Sequence, residues 1–297
     1  MDNDKDFKGA IKLVYWSEPN FGDMLSPYII GRLSGKKIRR KLFNFGKGNY
    51  RLFLKYILQH KFDNIKTILF FFEKNLLGVG SIISCGNKHS VIWGSGLLKS
   101  TDTFHGGKIL AVRGKYTNVR LQELGFKGCN VFGDPALLLP LLVKPSDKKN
   151  EIAIIPHWSE TDFFLKEYGD KYKIIDLRTR DVESVISEIT SCRFVLSTSL
   201  HGIIVSHAYG IPALWIKLRT LENDDIKFHD YFSSVGIDIY EGFRDICRIL
   251  ESEYAWRNLF AENKKKSFPN IDITSIQKDL LRVAPFDIVE NYKKFYE

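Results

Sequence analysis

Short apolar segments of strand length recur along this chain, among them residues 68–72 and VGSIIS at residues 79–84, and several of those in the first half end in Gly, Ser, Asp or Arg. Several are followed by the apolar spacing of a helix, as in KILAVRGKYTNVRLQELGF, which begins at residue 108. Strands that alternate with helices form parallel sheets, because a helical connection returns the chain to the edge where the previous strand began. We therefore predict an α/β fold in which ligands bind at the carboxyl ends of the strands.

The length of 297 residues is comfortable for two domains. A change in composition at KPSDKKNE, residues 144–151, predicts a linker. We predict two Rossmann-like domains that face a cleft, an N-terminal one over residues 1–146 and a C-terminal one over residues 151–297, with the last helix packing back on the first domain. This is the architecture of the two-domain (GT-B) glycosyltransferases, which several unrelated chemistries share.

Cysteine and histidine usage bears on the compartment and on metal binding. The four cysteines lie far apart, which argues against a zinc knuckle or a secreted disulfide framework. His201 and His207 are six residues apart and do not share a helix face, so no metal site is predicted. The start of the chain, MDNDKDFKGA, lacks the apolar core of a signal peptide, and no apolar run reaches the length of a membrane span. These features favour a reduced, cytoplasmic protein.

The net charge of +9 comes from one segment, residues 32–61, which we call the basic segment. No acidic residue lies between Asp23 and Asp63, and ten of the 44 Lys and Arg residues lie in this interval, so the rest of the chain, with its 35 acidic residues, is nearly neutral. Large apolar side chains alternate with these charges, which suits an anionic membrane surface better than nucleic acid. A solvated face without a partner is the simpler alternative.

The segment STSLHGIIVSHAYGIP, residues 197–212, predicts a helix between two strands. The helix is expected over residues 200–209, with Gly210 just beyond its end. His201 then lies in the first turn, where free backbone N–H groups and the helix dipole favour an anion. The alternative is that residues 197–199 only cap the helix while His201 fills polar space.

Five short motifs follow one another along the chain in this order: NFGD, WGSG, RGKYT, GDPALL and STSLHGIIVSHAYGIP. With them the chain resembles the polysaccharide pyruvyl transferase family over roughly residues 15–216. The resemblance implies a fold like that of the GT-B glycosyltransferases. It also implies a reaction in which phosphoenolpyruvate donates its carboxyethylidene group to two hydroxyls of one sugar and phosphate is released. Phosphoenolpyruvate is a co-substrate in this reaction, and no cofactor is expected.

The acceptor implied by the resemblance is a sugar in a surface polysaccharide or exopolysaccharide precursor. We expect that glycan to be carried on a lipid diphosphate, so that the enzyme works in the cytoplasm, peripherally at the inner face of an anionic membrane. The basic segment would contribute to this attachment. No nucleic-acid partner is expected.

The chemistry of this donor indicates which residue types its site needs. Phosphoenolpyruvate carries a phosphate and a carboxylate, so several cationic or N–H donors must converge on it. Ketal formation also needs a proton for the methylene carbon and bases for the attacking hydroxyls. We predict His201, Asp23 and Arg113 as catalytic residues, where helix capping by Asp23 and a surface position for Arg113 are the alternatives. The predicted donor-binding residues are Arg113, Ser199, Leu200, His201, Gly202, His157 and Lys217, and the predicted acceptor-binding residues are Asn20, Asp23, Gly94 and Ser95.

Three other residues near these motifs have simpler interpretations. Asp134, followed by Pro135, is predicted to cap a helix. Trp158 could stack on a sugar, but a core position is the better prediction. Arg219, after the last strand, is expected to add positive charge to the donor site.

The sequence departs from the family pattern at Ser199, where many members carry an arginine. The helix N–H groups with Ser199, or one of Arg113, Lys217 and Arg219, must then supply the missing charge, or the donor differs. A nucleotide-sugar glycosyltransferase is one alternative, although the Glu that commonly holds the ribose in such enzymes is replaced by His207. A catalytically inactive glycan-binding protein is the other, and the joint presence of the three predicted catalytic residues argues against it.

Overall fold

The computed structural model describes residues 5–41, 57–59, 72–219 and 224–296. Two parallel sheets are formed in this part of the chain, with strand orders β2-β1-β3-β4-β5 and β7-β6-β8-β9. The α/β class with parallel strands is therefore confirmed. The first sheet contains β1 (Ile11–Val14), β2 (Ile38–Lys41), β3 (Asn75–Leu77), β4 (Ser90–Trp93) and β5 (Lys108–Ala111), and the second contains β6 (Asn150–Ile155), β7 (Lys173–Ile174), β8 (Cys192–Ser197) and β9 (Ala213–Trp215).

Helices connect most of these strands, as parallel pairing requires. The described α-helices are α1 (Phe21–Ser34), α2 (Lys115–Glu123), α3 (Leu139–Leu142), α4 (Thr161–Tyr168), α5 (Val182–Thr190), α6 (Leu200–Ala208), α7 (Ile226–Val235), α8 (Ile246–Ile249), α9 (Glu253–Glu262), α10 (Ile273–Arg282) and α11 (Glu290–Lys293). Short 3₁₀ turns lie at Ile83–Cys85, Pro135–Leu138 and Lys264–Lys266.

Helix α6 begins at Leu200 as predicted and ends at Ala208, one residue earlier than predicted. Gly210, just beyond it, adopts the left-handed φ of 66° that a residue past a helix commonly needs. The predicted strand VGSIIS is wrong, because residues 79–84 form bends and the start of a 3₁₀ turn. Its apolar side chains are buried by packing rather than by strand pairing. The predicted strand at residues 68–72 lies outside the described residues except for Phe72.

One apolar cluster packs helices of both sheets together. It contains Phe21 and Leu25 of α1, Ile203 of α6, and the turn Pro135–Leu138 contributes Leu137 between them. Both α1 and α6 contact that turn. The beginnings of α1 and α6 are therefore held in a fixed relation to each other, which determines the geometry of the site described below.

The C-terminal part of the chain packs on the first sheet. Trp93 of β4 donates its indole N–H to the carbonyl of Leu280, at 2.9 Å, and Gln277 donates its amide to the carbonyl of Leu137, at 2.6 Å. Phe286 forms a bridge with Phe7, next to β1. Contacts of this kind satisfy buried polar groups at both ends and resist separation of the two segments.

The basic segment is described only in part. Lys47, Arg51, Lys55 and Lys61 lie outside the described residues. Of the others, Lys41 is buried and pairs with Glu73 at 3.3 Å, and Lys36 pairs with Asp287 at 3.1 Å. The uniform positive charge that the sequence shows is therefore partly neutralised by carboxylates from distant parts of the chain.

Candidate functional site

The helices α1 and α6 begin at the same cavity, which has a volume of about 130 Å³. Its walls come from the ends of strands in both sheets and from the first turns of α1, α6 and α7. The lining residues are Asn20, Asp23, Gly80, Ser81, Leu98, His157, Trp158, Leu177, Ser199, Leu200, His201 and Lys227.

The beginning of α1 contributes a carboxylate to this cavity. The helix starts at Phe21, before the position that capping by Asp23 would require. Asn20 is its cap, with its side-chain oxygen accepting from the Gly22 N–H at 3.0 Å. Asp23 therefore does not cap the helix and instead lines the cavity from the first turn. Burial raises the pKa of Asp23 to about 6, because a charged carboxylate is poorly solvated there.

The beginning of α1 is also tied to the second sheet. The backbone N–H of Phe21 donates to the carbonyl of Leu177 at 2.8 Å, and the Arg180 guanidinium donates to the carbonyl of Ser17, also at 2.8 Å. These bonds hold Asn20 and Asp23 opposite the second sheet, so the cavity wall does not depend on apolar packing alone.

His201 lines the same cavity from the first turn of α6. Its Nε2 is buried and has no hydrogen-bond partner among the described residues. Burial, together with the positive charges of Arg113 and Lys227, lowers the pKa of His201 to about 3. The imidazole is therefore neutral at physiological pH, and one of its ring nitrogens is left without a partner among the described residues.

The turn before α6 is shaped by hydroxyl groups. Ser197 accepts from the Ser199 N–H at 3.0 Å and donates to the carbonyl of Ile155 at 2.8 Å. Ser199 is the cap residue but makes no side-chain capping bond, so it leaves the first backbone N–H groups of α6 free to bind another acceptor. Gly202 is not among the lining residues, and a β-carbon there would meet Ser197 Oγ at 2.4 Å. Gly202 thus serves helix packing on β8.

Arg113 is fully buried, so the alternative of a surface arginine is wrong. Its guanidinium donates to Asp230 at 2.9 Å, to the carbonyl of Leu97 at 2.7 Å and to the hydroxyl of Ser81 at 2.6 Å. Arg113 does not itself line the cavity, but Ser81 does. Arg113 therefore acts on the cavity through its charge and through Ser81.

Two polar side chains of the lining were not among the sequence predictions. Lys227, in the first turn of α7, is only 7% exposed, and Ser81 lies in a segment predicted to be a strand. Neither belongs to a motif, and only the spatial arrangement brings them to the cavity. Asp230, the buried partner of Arg113, was missed for the same reason. It also accepts from the backbone N–H and the hydroxyl of Thr117 at 2.8 and 2.7 Å.

His157 and Trp158 follow strand β6 and line the cavity side by side. Burial and the positive charges of Lys227 and Arg219 lower the pKa of His157 to about 4, and its Nδ1 lies 2.9 Å from the hydroxyl of Ser159. The core prediction for Trp158 is wrong, because 54% of this residue is exposed. The indole ring of Trp158 is therefore exposed to solvent at the mouth of the cavity.

A model of the polysaccharide pyruvyl transferase family matches residues 20–218, about two thirds of the chain. The chain belongs to this family. The match begins at the cap of α1 and includes β6, β8 and α6, and so covers every lining residue except Lys227. The predictions of the family and of an enzyme of this type are confirmed.

Two similar proteins accompany this match. A protein of Acanthamoeba polyphaga mimivirus named uncharacterized protein L143 is 35% identical over 209 residues, which are 66% of this chain and 69% of that protein. Among solved structures, a functionally uncharacterized protein of Klebsiella pneumoniae subsp. pneumoniae NTUH-K2044 is 14% identical, with 88% of this chain and 93% of that chain covered and a TM-score of 0.35.

Several predicted site residues of this pyruvyl transferase lie outside the cavity lining. Lys217 is buried and forms an ion pair with Asp225. Gly94 has a φ of 94°, and a β-carbon there would meet Pro135 at 2.2 Å, so it serves a tight turn. Ser95 donates to the carbonyl of Gly80 at 3.0 Å and thereby supports a lining residue.

Two further features of the transferase bear on the sequence predictions. Asp134 caps the turn Pro135–Leu138 as predicted, accepting from the Ala136 N–H at 2.9 Å. The described residues contain no group of three or more His, Cys, Asp or Glu side chains arranged to hold a metal ion. They also contain no helix with both the length and the apolar character needed to cross a membrane.

Proposed function

We propose that the cavity binds phosphoenolpyruvate and that the enzyme transfers its carboxyethylidene group to two hydroxyls of one sugar, forming a cyclic ketal and releasing phosphate. The observation that carries this proposal is the convergence of free helix N–H groups, the Lys227 ammonium, the Asp23 carboxyl and a neutral His201 on one small cavity. A small dianionic donor needs such a combination of anion binding and proton transfer.

The size of the cavity favours a three-carbon donor over a nucleotide sugar. Its volume of about 130 Å³ is well below the roughly 300–1,000 Å³ typical of sites for larger organic ligands. His207, where a glycosyltransferase would carry its ribose-binding Glu, is fully buried, with its ring 3.0 Å from the Tyr231 hydroxyl. The position is therefore part of the core and offers no acceptor to a ribose.

Asp23 and His201 are the two groups placed to move protons. Asp23, whose pKa is raised to about 6, can give its proton to the methylene carbon of the donor, which makes the adjacent carbon electrophilic. The neutral His201 can take the proton of an attacking sugar hydroxyl. The second hydroxyl then displaces phosphate, its proton leaves with the phosphate, and the methylene has become a methyl group. The proton taken up by His201 returns to Asp23 through solvent before the next turnover, so that protons and charges balance.

The acceptor approaches from the open side of the cavity, where Trp158 lies half exposed. An aromatic face beside a polar site is suited to the C–H surface of a sugar ring. We propose that the acceptor is a glycan in a polysaccharide precursor carried on a lipid diphosphate, and that exposed residues of the basic segment hold the enzyme at an anionic membrane.

The proposal is tested with purified enzyme by thermal shift and by phosphate release. Phosphoenolpyruvate at one hundred times its dissociation constant should stabilise the protein by about 2.7 kcal/mol, while uridine and guanosine nucleotide sugars should not. Phosphate release should require both donor and a glycan acceptor. Stabilisation by a nucleotide sugar alone would favour a glycosyltransferase, and glycan binding without any turnover would favour an inactive binding protein.

A further inference from the structure

Two buried lysines of the second half differ in their electrostatic surroundings. Lys217 forms an ion pair with Asp225, so its charge is already balanced. Lys227 is 7% exposed, and no carboxylate of the described residues lies within salt-bridge distance of it. Its ammonium lies 5.3 Å from the centre of the Phe228 ring, a contact that compensates only part of the lost hydration.

The position of Lys227 in the fold makes its positive charge still less favourable. It lies in the first turn of α7, where the helix dipole repels cations. Asp225, two residues before Lys227, has a φ of 61°, which is an uncommon backbone conformation for a residue other than glycine. A strained turn therefore leads into a helix whose first turn carries a buried, unpaired charge, which is a combination found at ligand-binding sites.

The neighbours of Lys227 point to an anion as the missing partner. Lys227 is the one cationic side chain among the described residues that line the cavity, since Arg113 reaches it only through Ser81. The Ser81 hydroxyl accepts from Arg113, so its own hydrogen is free to point to a ligand. Ser199, at the start of α6, contributes no charge of its own.

We infer that Lys227 is the counter-ion for an anionic group of the donor, which binds between this ammonium, the Ser81 hydroxyl and the free N–H groups at the start of α6. This inference rests on the proposed function for the identity of the donor. The anion site itself follows from the positions of Lys227, Ser81 and the start of α6. Burial and the charge of Arg113 lower the pKa of Lys227 to about 8 in the free protein, and the charges of Asp225 and Glu160 offset this lowering only in part.

The test is calorimetric titration of phosphoenolpyruvate, and separately of inorganic phosphate, into the intact protein and three variants. Lys227→Met should weaken binding of phosphoenolpyruvate by about 10- to 100-fold, as expected for a lost hydrogen bond to a charged group. Lys227→Arg, which keeps the charge, should lose less. Lys166→Met removes an exposed charge from α4 and should bind like the wild type.

The melting temperature of the unliganded variants separates a binding role from a structural one. Lys227→Met should melt at the same or a higher temperature than wild type, because it removes an uncompensated buried charge. Unchanged donor affinity in Lys227→Met, or a loss of affinity that only follows a loss of folded protein, would overturn the inference.

The outcomes for the proposed function are distinct from these. If phosphate binds in a Lys227-dependent way but phosphoenolpyruvate does not, the anion site stands and the proposed donor is wrong. If phosphoenolpyruvate binds equally well to wild type and Lys227→Met, the donor stands and the role of Lys227 is wrong. If neither phosphoenolpyruvate nor phosphate binds, the proposed donor and the proposed role of Lys227 are both contradicted.

Discussion

Gly22 of α1 packs directly against His201 of α6, so closely that a β-carbon on Gly22 would lie 2.3 Å from the His201 Nδ1. Any other residue at position 22 would displace the imidazole. The contact joins the first turns of two helices that belong to different sheets, and it positions the histidine over the cavity.

Gly22→Ala should therefore lower turnover by displacing His201, and it should destabilise the protein by about 1–3 kcal/mol through overpacking. The matched control is Gly31→Ala in the same helix, where the nearest atom to the new β-carbon is 3.5 Å away. That variant should gain up to about 1 kcal/mol from the better helix propensity of alanine. Thermal denaturation and phosphate release measure both, and equal behaviour of the two variants would contradict the contact.

His201→Ala should reduce turnover by about 10²–10⁴-fold, the usual scale for loss of a general acid or base. His201→Gln keeps a hydrogen-bond donor without the titration, so it should preserve donor binding better than turnover. Donor affinity, turnover and melting temperature are measured on both variants. Near-wild-type kinetics in the folded fraction of His201→Ala would assign the histidine a packing role only.

Removal of the Arg113 side chain should lower stability more than it weakens donor binding, because the buried charge of Asp230 would be left without its cationic partner. We expect Arg113→Ala to cost about 3–5 kcal/mol in the free energy of unfolding. In the background of Asp230→Ala the same change should cost much less, which a double-mutant cycle measures. The exposed pair of Arg282 and Asp279 is the control, and Arg282→Ala should cost less than about 1 kcal/mol. Equal costs for the two arginines would refute the buried pair.

Asp23 predicts a pH dependence of both stability and activity. Its pKa is about 6 in the folded protein and near 3.8 otherwise, so the folded state binds more protons and loses stability as pH rises from about 4 to 6. Asp23→Asn should therefore melt higher than wild type at pH 8 and about equally at pH 4. If the protonated carboxyl is the acid, kcat/KM of wild type should fall above about pH 6, and the variant should lose turnover at every pH. A wild-type profile that is flat between pH 5 and 8 would argue against this assignment.

The exposed part of the basic segment predicts binding to anionic vesicles. Lys37 and Arg39 are exposed, and each basic residue near such a surface contributes roughly 1 kcal/mol. Changing both to Glu should reduce sedimentation with vesicles at low salt, while turnover of a soluble acceptor analogue persists. Lys41 is unsuitable for this test because it is buried beside Glu73. Lys264 and Lys265, both exposed, provide the control pair, and equal loss in both double variants would show that only net charge matters.

Local sequence determined the elements whose signals lie within a few residues. Spacing, capping residues and glycine were sufficient to predict the start of α6, the cap at Asp134 and the place of Asn20, Asp23 and His201 at the beginnings of helices. The family motifs coincide with these helix starts and strand ends. Signals at the ends of helices and strands act through the nearest backbone groups, so the local amino-acid sequence is sufficient to predict these ends.

Tertiary structure decided which of these residues share a cavity and which charges are balanced. Lys217 and Lys227 look alike in the sequence, but among the described residues only the first has a carboxylate within ion-pair distance. Arg113 pairs with Asp230, which lies 117 residues away in the sequence. The guanidinium that was predicted to bind the donor is therefore buried, and it donates to the hydroxyl of the lining residue Ser81. Burial, ion pairing and the exposure of a side chain such as Trp158 depend on what packs from distant segments, and no local pattern encodes those distances.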